Sequence, residues 1–532
     1  MKVLQKLLTA LLLAALTISC GMSVRAESFD PKDSYKKEGD NNPLSPLVFC
    51  ADPTAVEYKG RLYVYGTNDY QQYEEKGADI ENTYEKIVSL VVFSTDDMVN
   101  WEYHGEINVK EIAPWIANSW APSVVSRVEK DGLTHFYLYF SNSGMGTGVI
   151  TATDPLGPWT DPLGKPLVSY KTPGLKDCPV PFDLGAVIDE NGVGWLAFGG
   201  GKAQGGTDEY PGSARIVRLG EDMISFDSDF TEIPAPYFFE ASELNFINGW
   251  YVYTYCSDWS RHLIGWVKMP YDVPAPGSCS MICMKTKTPL DPDSWKMVGE
   301  VLKNPGELGF DYSNNHTHMH KYKGKWYIIY HTLALKKAMG IAGGYRSLCV
   351  DEIAVDEDTV TITSAKGSHR GVAEPADSKY SGSGSMQINN CYGIHFDTSD
   401  PHSPAVVSDK AGEWIKAAYI SCDTAVKPSD TKKITFAASV RGKGTIRLYT
   451  GKKLLAAIKV DSPKNFGTVS ADISRELLKD GTDLYMVFDS GDMSMKSYGF
   501  KATGRDIPPA LAAGAAVGVA AVGCIIAGIT KK

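Results

Sequence analysis

Between about residues 45 and 365 the chain repeats one pattern of apolar and polar positions. A polar head is followed by a short alternating strand, a turn ending in glycine, and a second strand rich in aromatics. "ADPTAVEYKGRLYVYGT" runs from Ala51, "WAPSVVSRVEKDGLTHFYLYFS" from Trp120 and "FDLGAVIDENGVGWLAFGG" from Phe182. "FEASELNFINGWYVYTY" follows from Phe239 and "NHTHMHKYKGKWYIIYHT" from Asn315. Period-two alternation predicts β-strands. Asp131-Gly132, Asn191-Gly192 and Asn248-Gly249 are strong hairpin signals, and Lys59-Gly60 and Lys323-Gly324 weaker ones. The heads recur every 57 to 76 residues, room for four strands and their loops. Five such units predict an all-β chain with a five-bladed β-propeller over residues 42–365.

The distance from head to turn glycine is nearly constant. It is 8 residues from Asp52 to Gly60, 9 from Asp183 to Gly192, 9 from Glu240 to Gly249 and 8 from His316 to Gly324. In a propeller the innermost strand of every blade lines the axis, so these positions meet around one cavity, with Trp120 nearby. Glu243 stands only 6 residues before its glycine and is expected on a flanking strand or the rim. Three converging carboxylates beside aromatics suit glycoside hydrolysis. An inverting enzyme needs one carboxylate to activate water and one carboxylic acid to protonate the leaving oxygen. A third acid keeps the proton donor protonated by like-charge repulsion.

From about residue 372 the pattern changes. "SGSGS" marks a linker, and short alternating segments follow, "KKITFAASV", "GTIRLYTG", "KLLAAIKV", "DLYMVFDS" and "SYGFK" among them. They predict an antiparallel β-sandwich over residues 372–503. Both ends are apolar. "LLTALLLAALTI" between Lys6 and the small-x-small site Val24-Arg25-Ala26 reads as a signal peptide over residues 1–26, with lipidation at Cys20 as the alternative. Residues 510–529 are uncharged and followed by Lys531-Lys532, which reads as a transmembrane anchor. The expected location is therefore the extracellular face, tethered by the C-terminus.

Composition narrows the classes. The net charge is −10 with no stripe of Lys or Arg, which argues against nucleic-acid binding. The ten cysteines form no CxxC pair and no Cys/His zinc spacing, so no zinc site is expected. They are compatible with disulfides or with buried apolar packing.

Taken in order, Ala51-Asp52-Pro53, Trp120-Ala121-Pro122, "FDLGAVIDENG", "FFEAS" and "GYRSLCVDEI" resemble the five-bladed hydrolases of glycoside hydrolase family 43. The resemblance implies that Asp52 is the general base, Asp183 the acid that tunes and orients, and Glu240 the general acid. It implies sugar contacts at Trp120 and Arg346, and an axial role for His316 beside a calcium ion, with His318 as the alternative. Leu184 departs from the family, which usually has proline there. No organic cofactor is implied. Family members act on plant pentose polysaccharides or oligosaccharides. The leading expectation is an α-L-arabinofuranosidase on arabinoxylan side chains, and the alternatives are a β-xylosidase or a non-catalytic surface glycan-binding protein. "GEWIKAAYISC" and the segments after it resemble carbohydrate-binding module family 6, which makes Tyr392 and Trp414 candidate glycan contacts.

Overall fold

A computed structural model describes residues 29–32, 34–376, 384–420, 431–473 and 481–504. The first blade is the sheet β1 (Ala51–Tyr58), β2 (Arg61–Thr67), β3 (Leu90–Thr95) and β4 (Glu102–Ile107). The second is β5 (Trp120–Val128), β6 (Thr134–Ser141), β7 (Gly146–Ala152) and β8 (Val168–Ser169). The third is β9 (Gly185–Ile188), β10 (Gly194–Phe198), β11 (Arg215–Arg218) and β12 (Thr231–Glu232). The fourth is β13 (Phe238–Ile247), β14 (Trp250–Ser257), β15 (Met281–Thr286) and β16 (Lys296–Leu302). The fifth has three strands rather than four: β17 (Thr317–Tyr322), β18 (Lys325–Thr332) and β19 (Ser347–Glu352). A two-stranded ribbon follows, β20 (Ala354–Asp356) with β21 (Thr361–Thr363).

The second strands read as nearly unbroken apolar runs because each blade is sandwiched between two others. In β6, Phe136, Leu138 and Phe140 pack toward the first blade, while Tyr137 and Tyr139 pack toward the third. In β18, Ile328 and Tyr330 face the fourth blade, and Tyr327 and Ile329 face the first. A sheet buried on both faces has no polar side to show in its sequence. Each fully buried Ile, Leu or Phe in these seams contributes about 1.5–3 kcal/mol. The ring closes where the chain before β1 lies along β19. Leu44 N donates to Leu348 O, Cys50 N to Arg346 O, and Val350 N to Asn42 Oδ1.

Asn248-Gly249 is the tight hairpin its sequence predicts, while the other turns depart from the expected order of strength. Lys59-Gly60, Asn248-Gly249 and Lys323-Gly324 are two-residue turns with both residues at positive φ. Asp131-Gly132 and Asn191-Gly192 sit instead in wider loops, between the pairs Val128–Thr134 and Ile188–Gly194. In the latter the Asp189 carboxylate accepts Asn191 N and Val193 N and sets the loop width.

The second domain is one hydrogen-bonded sheet of eight strands: β22 (Asn390–Tyr392), β23 (His395–Asp397), β24 (Ala405–Ser408), β25 (Trp414–Ile420), β26 (Thr431–Thr450), β27 (Lys453–Ile473), β28 (Thr482–Phe488) and β29 (Met493–Gly504). The expected pair of separate sheets is replaced by a single curled one. β26 pairs with β29 through its first half and with β28 through Ile446–Tyr449. The bend falls at Gly442 and Gly444, at φ +131° and +157°. There a Cβ would meet Met493 and Ser490 at van der Waals overlap, so the tight corner needs glycine. The domain is joined to the first blade by a reciprocal pair, Asn100 Nδ2 to Ala418 O and Ala418 N to Asn100 Oδ1. Trp101 pairs through its backbone with Ile388 at the same seam.

The seven described cysteines are buried and free of disulfides, including Cys256 and Cys279, whose Sγ atoms lie 3.3 Å apart. The expected signal peptide over residues 1–26 and the expected anchor over residues 510–529 lie outside the described residues. Among the described residues no helix is long and apolar enough to cross a membrane.

Candidate active site

Within or just before four inner strands stands a non-glycine residue in the left-handed conformation: Asp52 at φ 49°, Ala121 at 39°, Asp183 at 49° and Ala241 at 62°. Such residues cost about 1–3 kcal/mol each and persist only where the surroundings hold them. Here the preceding blade takes each N–H. Asp52 N donates to His331 Nδ1 (3.2 Å) and Ala121 N to Thr67 Oγ1 (2.8 Å). Asp183 N donates to Ser141 Oγ (2.8 Å) and Ala241 N to Asp183 Oδ2 (3.1 Å). In blades one, two and four, β-bulges at these points re-aim the side chains.

This register corrects the count made from the turns. Ala241, not Glu240, is equivalent to Asp52 and Asp183. Glu240 pairs with Cys256 as Trp120 pairs with Ser141, so Glu240 is equivalent to Trp120, one residue earlier. It still reaches the same site. Asn314 Nδ2 lies 3.4 Å from Glu240 Oε1, and His331 Nε2, 2.9 Å from Asn314 O, fixes that asparagine. The His331 ring thus holds the Asp52 backbone with one nitrogen and the Glu240 partner with the other.

Asp52 is held as an ion. Its Oδ1 accepts from Arg346 Nη1 (2.9 Å) and its Oδ2 from Thr67 Oγ1 (2.7 Å). Burial pushes its pKa up, but Arg346, His331, His316 and the Thr67 bond together hold it at about 2. Glu240 goes the other way, pushed up to about 7 by burial and then by the Asp52 charge. Asp183 is raised well above the carboxylate range by burial, Glu240 and Asp52. Asp52 is therefore ionised over a pH interval in which Glu240 carries its proton.

Arg346 pairs with Asp52 and Asp69, not with the neighbouring Asp351 or Glu352. Its Nε and Nη2 donate to the two Asp69 oxygens at 2.9 Å, a bidentate pair, and its plane lies 4.8 Å from the Tyr84 ring. Trp120 donates from Nε1 to Tyr84 O and meets the Tyr84 ring edge-on at 6.1 Å. Thr67, Asp69, Tyr84, Asn314 and His331 were not foreseen. Their signal was present in part: the second strands end in the polar steps "YGT", "LYFS" and "IYHT", at the depth of the heads.

His316 Nδ1 lies 3.6 Å from Asp52 Oδ1, and burial holds the ring neutral, at about 4. Glu243 is not a rim residue. It lies fully buried on inner strand β13 with Oε1 3.2 Å from His318 Nδ1, and burial raises it while keeping His318 neutral. In the second domain Trp414 is 2% exposed and packs against Tyr485 and Tyr392, which makes it a core residue rather than an open platform. Tyr392 is partly exposed, with the Lys32 ammonium 5.4 Å from its ring centre.

Residues 40–360 match the family model described as Glycosyl hydrolases family 43. The chain belongs to this family. It is 32% identical over 484 residues to an arabinoxylan arabinofuranohydrolase of Bacillus subtilis (strain 168), covering 86% of this chain and 91% of that one. It is 36% identical over 352 residues to an arabinoxylan arabinofuranohydrolase of Paenibacillus polymyxa, covering 64% of this chain and 53% of the relative, so the match spans about half of that longer protein. Among solved structures, a family 43 arabinoxylan arabinofuranohydrolase from Bacillus subtilis in complex with cellotetraose superposes with a TM-score of 0.77 at 29% identity. It covers 89% of this chain and 99% of its own, so the likeness includes the second domain.

Proposed function

We propose that this family 43 chain is an inverting α-L-arabinofuranosidase that removes side chains from arabinoxylan. The observation that carries the chemistry is the opposed surroundings of two carboxyl groups at one site, Asp52 paired with Arg346 and Glu240 without a cationic partner of its own among the described residues. Asp52, ionised beside Arg346, takes a proton from the water that attacks the anomeric carbon. Glu240, protonated by burial and by the Asp52 charge, gives its proton to the leaving oxygen. Asp183 accepts from Ala241 N, the residue after Glu240, and is a positioning residue for Glu240. Arg346, Tyr84 and Trp120 form the wall where the sugar would sit. The relatives' names, and the match of the Bacillus subtilis protein across both domains, support arabinoxylan as the substrate.

The test compares an aryl α-L-arabinofuranoside with an aryl β-xyloside. The arabinofuranoside is the expected better substrate by kcat/KM, and the first sugar seen by NMR has inverted configuration at the anomeric carbon. Faster xyloside cleavage makes the enzyme a xylosidase. A first-formed sugar of retained configuration removes the single-displacement mechanism.

The axial residues also fit a hydrated calcium ion near His316. His316 Nε2, Asn315 Oδ1 and both Glu243 oxygens are buried without hydrogen-bond partners. Among the described residues no three His, Cys, Asp or Glu side chains could hold a metal together, so such an ion would be bound largely through water. Its contribution would be electrostatic, beside Asp52. Exhaustive EDTA treatment is expected to lower the melting temperature by a few degrees, with recovery on adding calcium. An unchanged melting temperature identifies these groups as a packing and water network.

A further inference from the structure

Two exposed aromatic rings flank the general acid on loops the mechanism does not use. β14 pairs with Glu240 through Cys256, and Trp259 stands three residues further on, 49% exposed. At about 3.3 Å per residue that is within roughly 10 Å of Cys256 along the chain, with Glu240 on the adjacent strand. On the next loop Tyr312, 63% exposed, stands two residues before Asn314, the Glu240 partner.

The two loops are fixed to each other. Asp258 N donates to Tyr237 O and Cys279 N to Asp258 O, and Ser278 Oγ donates to Trp259 O at 2.6 Å. The buried Asn304 Nδ2 then bridges the loops, donating to Cys279 O (3.2 Å) and Ser313 O (2.8 Å). The Tyr312 ring lies against Gly306, where an added Cβ would come within 2.3–2.5 Å of its ring atoms. One ring face is therefore packed, and the residue is nonetheless largely exposed.

We propose that Trp259 and Tyr312 form a preorganised platform for the main chain of the polysaccharide. Resting on the arabinoxylan reading, the argument is chemical. A general acid protonates the oxygen of the leaving group, so the leaving group must pass beside Glu240. When the cleaved sugar is a side branch, that leaving group is the main chain. Pentose rings present C–H faces that pack on aromatic rings; the Tyr312 ring is held on one face and the Trp259 backbone is anchored, so little entropy is lost on binding. Trp259 and Tyr312 thus favour a polymeric substrate over a small one.

The experiment measures kcat/KM on arabinoxylan and on an aryl α-L-arabinofuranoside for the full chain, Trp259→Ala, Tyr312→Ala, the double variant and Tyr312→Phe. The ratio of polymer to aryl kcat/KM is expected to fall about tenfold per ring removed, chiefly through KM on the polymer. Tyr312→Phe keeps the ring and keeps the ratio. Aryl activity reports that each variant is folded. A ratio unchanged in the double variant, or a Tyr312→Phe ratio as low as that of Tyr312→Ala, overturns the stacking platform. A parent enzyme that cleaves the aryl arabinofuranoside but releases no arabinose from arabinoxylan overturns the substrate reading and the platform with it, before any variant is made.

Discussion

Glu240→Gln is expected to lower kcat/KM on arabinoxylan by about 10²–10⁴-fold while leaving the fold intact. The amide fills the same space beside Asn314 but has no proton to give. The loss should be far smaller on a dinitrophenyl arabinofuranoside, whose leaving group departs without protonation. The pH profile provides an independent readout. With Glu240 as the proton donor, kcat/KM of the parent is expected to fall as pH rises through about 7. The Gln variant, assayed on the activated substrate, lacks that alkaline limb. Glu243→Gln should show neither effect, because that carboxyl is buried against His318. If Glu243→Gln reproduces the pattern and Glu240→Gln stays near the parent, the roles are reversed.

The propeller was legible because its seams repeat. Aromatic second strands such as "FYLYF" and "WYIIY" are apolar on both faces, and five of them at a blade's spacing admit few other folds. Positions at single-residue precision were less legible. Counting back from the turn glycines put Glu240 level with Asp52, yet the left-handed residue of that blade is Ala241. The difference arises in loop width: the Asp189 loop of the third blade is wider than the two-residue turns, and a count from glycine cannot see it. The same limit misplaced Glu243. Its number suggested a rim residue, but the bulge after Glu240 carries it onto the axis.

Partners that arrive from other blades were not legible at all. Arg346 had acids close by in sequence, Asp351 and Glu352, but its partners come from 277 and 294 positions away. Asp351 is already taken by Asn42, Tyr330 and Ser368, and Glu352 by Lys325. The second domain presents the same problem at larger scale. Strand patterns predicted its layers, but only the geometry at Gly442 and Gly444 makes one strand serve both, and "RGKGT" alone does not distinguish a bend from a loop.

Asp52→Asn is expected to reduce kcat by about three orders of magnitude or more on every substrate, activated ones included. A good leaving group replaces the acid but not the base, because water still has to lose a proton at the anomeric carbon. This separates the two carboxylates kinetically: the dinitrophenyl substrate rescues the Glu240 variant and fails to rescue the Asp52 variant. Stability gives a second signature with a defined sign. The folded state holds Asp52 at about 2, below its ordinary value of 3.8. The ionised form is therefore favoured by folding, and that stabilisation is present above about pH 4 and lost as pH falls through about 2. The shift corresponds to about 2 kcal/mol at neutral pH. Asn mimics the protonated form, so the variant should unfold at lower denaturant than the parent at pH 6. The gap should narrow steadily toward pH 2, as the parent loses the same Arg346 pair by protonation. A gap independent of pH would mean that Asp52 is held by packing rather than by its charge. An Asp52→Asn enzyme that hydrolyses the activated substrate at near-parent rate would remove it from the role of base.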